Sequence, residues 1–437
     1  MPDRTLQAWP ARLTMLMVLL SAAAGSAAIG QALPAGSADV RMAHWREDLR
    51  VLTATLSAKG HTVSVKQGIT TRGQIDFDKL YPHFQADIDA LSGGIPQLSD
   101  GEIVLRLMRI IASAKVDHNQ VDDPIGLGFF ARLPLTFEWF AEGLAVVNAS
   151  KEYEAALGAL VLKIGEKTPE QVLTDLTPYI SHENDFGLRK RSLPLLRCRI
   201  ILEEIGVVNS DGLVALTLQR PDGTTCSLKA KTIDPRVSQI SMSAGLHIPA
   251  LLWESRPDER YYWYRRLEDG SLYVQYNVCM NDPKLRFSDF ATKVLADVDS
   301  HSVKRVVIDL RRNGGGDSRV IGPLKNGLHG RLNKLGHVYV LTGPGTASSA
   351  MDNAIELRRS LRATLVGEPT SEKPSGYGEV KIVTLPNSKL KISYSTDWSG
   401  SKTDPRDALA PDVLVPRKLL DALAGRDAAL EAVLSMQ

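Results

Sequence analysis

Cysteine is scarce in these 437 residues: Cys198, Cys226 and Cys279 stand far apart with no paired spacing. That excludes a metal knuckle and a multi-bridge disulfide framework, leaves one bridge that spacing does not assign, and favours three small buried hydrophobes. An excess of one charge is missing too. Lysine plus arginine number 52 against 50 aspartate plus glutamate, so no bulk field recruits nucleic acid or an anionic membrane. Past the N-terminus no apolar run approaches the roughly 20 residues that span a bilayer. No GxGxxG follows a strand and no lysine-bearing phosphate loop occurs, which argues against a nucleotide cofactor.

What is present is an ordinary globular balance, 43% hydrophobic and 23% charged, in a chain long enough for two or three domains. Arg4 and Arg12 precede the run LTMLMVLLSAAAGSAA at 13–28, the layout of a secretory signal with small residues for cleavage. Residues 1–28 are therefore expected to be removed. The product should begin near 29–38, be secreted or periplasmic, and keep no stable membrane insertion. Residues 40–125 read as a helical region, since Ile103, Val104, Leu107, Met108 and Ile111 recur at helix spacing after Ser99 and Asp100.

Residues 130–235 read as a small, mostly β module with one helix at 170–176. Its strands lie in GLAVV, ALVLKIG and GLVALTLQRPDGTTCSLKA, where Pro221-Asp222-Gly223 makes a hairpin turn. From 238 to 437 strand and helix patterns alternate: LYVQYNV, a helical face of Phe287, Phe290, Val294, Leu295 and Val298, then VVIDL, HVYVLT, a helix at 352–361, and ATLVG. That alternation argues for βαβ crossovers and a largely parallel sheet, whose ligands sit beyond the carboxyl ends of the strands. The stretch EVKIVTLPNSKLKISY at 379–394 predicts a hairpin with Leu390, Ile392 and Tyr394 turned inward.

One such strand end is VVIDLRRNGGGDS at 306–318. Three glycines cost folding entropy, so the chain needs positive φ there, or close approach of something to the backbone. A plain chain reversal is one reading; the other is an oxyanion hole built from unshielded amides of Gly314 to Gly316. The second demands a nucleophile. After the next strand, HVYVLTGPGTASSAMDNAIEL puts Ser348 and Ser349 at a helix N-terminus, where amides and the helix dipole favour developing negative charge. Taken alone, an N-cap serine explains them equally well.

VVIDLRRNGGG, TASSAMD and LVGEPTSEKPSGYGE, in this order and at these separations, resemble the C-terminal processing (tail-specific) serine peptidases over roughly 261–415. The resemblance implies an α/β fold with a crotonase-like (ClpP-type) βαβ protease domain. FAEGLAVVNASKEYEAALGALVLKIGEK adds likeness to a degenerate PDZ-like β module that holds a substrate C-terminus. By resemblance Ser348 is the nucleophile, Gly315, Gly316 and Ser349 supply the oxyanion amides, and Lys373 is the general base. Met351 stands where an acid is expected, with Asp352 next, which leaves Ser349 open as the counterpart of the nucleophile. Tyr377 replaces an expected glutamine. In the tricorn-type variant of the group the base is an N-terminal histidine, here His118 of IASAKVDHNQ, with Asp404 or Asp407 to orient it. The expected function is a serine endopeptidase acting on peptide or protein substrates without metal or cofactor; a catalytically inactive peptide-binding relative is the alternative.

Overall fold

Period and capping explain the N-terminal helices. In the computed structural model, residues 38–56, 80–122, 124, 127–234, 242, 244–245, 259–399 and 404–436 are described; the expected signal segment lies outside them. Ser99 caps the helix Asp100–Ala112 through a reciprocal capping box with Glu102. One face of that helix buries Ile103, Val104, Leu107 and Ile111 against Trp45, Leu49 and Leu52 of the helix Ala38–Leu56 and Ile88 and Leu91 of the helix Phe84–Gly94. The chain then turns through residues 113–119 into a short strand, β1 (Gln120–Asp122).

The middle part is an antiparallel sheet of β2 (Leu135–Phe140), β3 (Gly143–Ala149), β4 (Leu160–Ile164), β5 (Leu213–Gln219) and β6 (Thr225–Lys231), with the two-residue β7 (Ala244–Gly245) beside β3. The expected hairpin turn is there: Gly223 has φ +85° and Arg220 and Thr224 close the loop between β5 and β6. The expected helix is Pro169–Leu176. Two more helices, Asp185–Leu195 and Arg199–Glu204, occupy a stretch for which no helix was expected. Pro194 sits inside the first of them and interrupts its pattern, which hid it from a reading by period.

The remaining part is a six-stranded sheet in the order β15 (Val413–Leu414), β12 (Thr364–Gly367), β11 (His337–Thr342), β10 (Arg305–Asp309), β9 (Leu272–Tyr276), β8 (Tyr262–Arg266). All neighbours are parallel except β8 and β9. Helices Phe287–Ser300, Gly322–His329 and Ser349–Leu361 supply the crossovers and share one core with the apolar face of the sheet. Asp309, fully buried, ends β10 in a charged cluster with Arg311 and Asp427, and Tyr273 donates its hydroxyl to it at 2.6 Å. The expected hairpin forms as β13 (Gly376–Thr384) and β14 (Lys391–Ser399). Leu390, Ile392 and Tyr394 face inward. Ser393 is buried as well, because β1 pairs on the other side of β14 and the Ser393 hydroxyl donates to Asp122. The N-terminal region is thereby stitched to the C-terminal one.

No helix among the described residues is long and apolar enough to cross a membrane. All three cysteines are free thiols, with Cys198 and Cys279 buried.

Candidate active site

The glycine loop after β10 lies where backbone meets backbone. Buried Asn313 accepts the Gly315 amide at 3.0 Å and donates to the Tyr276 carbonyl at 2.9 Å, while the Cys279 amide donates to the Gly315 carbonyl at 2.9 Å. Gly315 has φ +110°, and a Cβ there would stand 2.8 Å from Ser348 Cβ. Gly316 has φ +133°, and its Cβ would stand 2.4 Å from the Cys279 carbonyl oxygen. Both positions thus require glycine for two reasons at once, backbone conformation and space. Gly316→Ala should cost about 3 kcal/mol in urea unfolding, the sum of left-handed strain and a displaced loop. An unchanged midpoint would show that the loop has room.

Ser348 heads the helix Ser349–Leu361 with φ +51° and ψ −129°, a strained conformation for a residue with a side chain. Its amide donates to Glu372 Oε2 at 2.6 Å. Its hydroxyl has no hydrogen-bond partner among the described residues, whereas that of Ser349 is spent on the Gly316 carbonyl at 2.7 Å. Of the three amides expected to hold an oxyanion, that of Gly315 is committed to Asn313. The amides of Gly316 and Ser349 have no partner among the described residues, as the first turn of a helix leads one to expect for Ser349.

His118, its side chain 15% exposed, turns Nε2 toward Glu372 Oε1 at 3.9 Å; its Nδ1 is buried without a partner among the described residues. Burial pushes the Glu372 carboxyl up to about 7, with His118 and the Ser348 amide opposing the rise and the Asp117 carboxylate adding to it. Asp117 is buried in turn. Desolvation alone would raise it, but the Arg191 guanidinium overrides this and holds its carboxyl below the usual range. Burial raises Glu183, which accepts the Lys373 amide at 3.0 Å.

Lys373 itself is elsewhere. Its Nζ faces Asp407 Oδ1 at 3.3 Å on a side chain 40% exposed, a solvated ion pair rather than a desolvated amine. Asp407 is thus engaged with Lys373, and Asp404 with Arg406 and Ser375. The carboxylate facing His118 is Glu372, not either of the two expected to orient it. Sequence reasoning took Glu372 only for a neighbour that favours a charged Lys373, and passed over Asp117, Glu183 and Arg191. The only signals were adjacency, DH at 117–118 and EK at 372–373, and acids beside basic residues are commonplace.

Asp117, His118 and Glu372 each offer a donor atom within 4.8 Å of the others, a spacing compatible with a metal ion. Both Asp117 oxygens are already used by Arg191 and Glu372 Oε2 by the Ser348 amide, so the set fits a hydrogen-bonded acid–base cluster better than a coordination shell. A cleft of about 320 Å³, lined by Ser318, Arg319, Ile321, Lys325, Asp352 and Glu356 among others, opens beside the glycine loop and the first turns of the Ser348 helix.

No protein-family model matches the chain, and no curated relative matches it. Among solved structures it resembles mature CPAF, with a TM-score of 0.56 and 14% identity over 90% of this chain and 96% of that one. Mature CPAF complexed with lactacystin gives the same score and identity over 90% and 97%. The photosystem II D1 C-terminal processing protease is similar at a TM-score of 0.37, with 14% identity over 90% and 99%. The chain therefore has the mixed α/β fold of the CPAF structures, along nearly its whole length.

Proposed function

We propose that the protein is a serine peptidase in which Ser348 is the nucleophile, His118 the general base and Glu372 the carboxylate that stabilises the imidazolium. The observation that carries this reading is the strained Ser348 at the head of a helix, pressed against a side-chain-free glycine loop, with no partner for its hydroxyl among the described residues. Ser348 Oγ attacks a peptide carbonyl carbon while its proton passes to His118. The new oxyanion is held by the amides of Gly316 and Ser349. Collapse breaks the C–N bond, the amine leaves with the proton from His118, and water, deprotonated by His118, hydrolyses the ester. The cleft beside Asp352 receives a neighbouring substrate side chain. On this reading the parallel sheet belongs to a crotonase-like domain, and the middle sheet is PDZ-like, with β6 as an outer strand open to an added peptide.

A fluorophosphonate probe should label Ser348, as mapped by peptide mass spectrometry, and the labelled protein should lose cleavage of a denatured protein substrate. Labelling without any cleavage by the unlabelled protein favours an esterase on the same fold, and no labelling favours the inactive peptide-binding relative. We further propose export with loss of the leader. Mass spectrometry of the exported protein should then find an N-terminus near 29–38; an exported form that retains Met1 excludes it.

A further inference from the structure

Resting on that reading of the site, we propose that Arg191 is a positioning residue of the catalytic centre: it reaches in from the middle module, fixes Asp117 as a buried carboxylate, and so decides where the proton shared by Asp117 and Glu372 resides.

Three segments remote in sequence meet here. Arg191 Nε donates to Asp117 Oδ1 at 2.7 Å, its Nη2 to Oδ2 and its Nη1 to Gln120 Oε1, the paired geometry that suits a guanidinium to a carboxylate. The Asp117 side chain is 1% exposed. Asp117 and Glu372 each bring a carboxylate oxygen within 4.8 Å of the other, and two buried carboxyl groups that close favour keeping one proton between them. The helix that carries Arg191 is docked closely on the catalytic loop. A Cβ on Gly187 would stand 2.6 Å from the Ser371 carbonyl oxygen and 3.6 Å from Asp117 Oδ1, and Asn184 Nδ2 donates to the carbonyls of Thr370 at 3.2 Å and Asp407 at 2.7 Å. Asn119 is tied by its side chain to Tyr81 and the Ser395 amide, so the 117–119 loop has little freedom to compensate.

With the guanidinium on Asp117, the shared proton sits on Glu372. Loss of that proton leaves Glu372 as the anion that His118 needs once it has accepted the serine proton. The other charged groups around the pair are His118 on the same loop, Lys190 beside Arg191, and Glu183 ahead of that helix. Asp122 of β1 acts on Arg191 and is itself near Lys391, Glu138 of β2 acts on Lys190, and Asp352 faces His118. Arg191 alone among them makes a two-pronged contact with the pair.

The test uses the full exported chain and the rate of fluorophosphonate labelling of Ser348 as a function of pH. In Arg191→Gln the midpoint of the acid limb should move up by about one pH unit or more, because a cation beside the pair is lost. In Asp117→Asn it should move down, since a neighbouring negative charge is removed and Arg191 remains. Arg191→Lys should return the midpoint toward wild type. A midpoint that stays in place while the rate falls at every pH marks a merely structural role and overturns the proposal. Urea unfolding across pH separates this from a failure of the peptidase reading. Even if wild-type Ser348 takes no label, folding stability should fall as pH rises through about 7, and Arg191→Gln should push that fall to higher pH. Coincident stability profiles would overturn the proposal, and in that setting the unlabelled serine would speak only against the peptidase. Should Arg191→Gln fail to fold, the downward shift in Asp117→Asn decides.

Discussion

Ser348→Ala removes fluorophosphonate labelling and peptide cleavage altogether, a loss on the order of a million-fold where such a nucleophile acts as part of a unit. His118→Ala falls by a similar order, because the serine proton then has no acceptor. Lys373→Ala is the discriminating variant. Its ammonium faces Asp407 on a side chain 40% exposed, so its removal should change cleavage by less than about tenfold, the scale of a solvated ion pair. Measured side by side, the three substitutions decide between the two bases that the resemblance left open. A Lys373→Ala variant as dead as Ser348→Ala rejects His118 as base, and an active Ser348→Ala rejects the mechanism.

The second large effect is at Glu372, where activity and stability should move in opposite directions. Glu372→Gln keeps an oxygen for the Ser348 amide but removes the negative charge that the imidazolium needs. Cleavage should drop about a thousand-fold or more. Stability goes the other way. The folded-state carboxyl is raised from its ordinary 4.5 to about 7, so its contribution is fully present below about 4.5 and is lost as pH climbs through about 7. Once ionised in its buried position it costs about 3 kcal/mol. Glu372→Gln should therefore match wild type in urea unfolding near pH 4 and exceed it by about that amount at pH 9. Equal stabilities at pH 9 would show that the buried charge is compensated by its surroundings. In the wild type, cleavage should climb with pH through about 7 as the Asp117–Glu372 pair loses its proton, an apparent value that belongs to the pair.

The four parallel strands Leu272–Tyr276, Arg305–Asp309, His337–Thr342 and Thr364–Gly367 and the crossover helices Phe287–Ser300 and Ser349–Leu361 were legible as apolar runs punctuated by Gly, Pro or Asn. The crossover helix Gly322–His329 and the strand Tyr262–Arg266 were not expected. The helix Asp185–Leu195 was not, since Pro194 and a run of basic residues break its apolar stripe; its identity depends on docking against the 370–373 loop. Domain limits read from composition likewise give no hint that β1, at 120–122, pairs with β14, at 391–399.

At the site, the sequence by itself determined the glycine loop and the serine pair, because motifs of adjacent residues encode backbone conformation locally. Three glycines at a strand end and a Gly-Pro-Gly-Thr turn before a helix admit few geometries. Tertiary structure alone decided which serine keeps a hydroxyl without a partner among the described residues, that Lys373 turns to Asp407, and that His118 meets Glu372. Those choices depend on contacts across 33 to 254 residues. They are set by desolvation and by which charges the packed chain brings within a few ångströms, and neither quantity is a property of any short stretch of sequence.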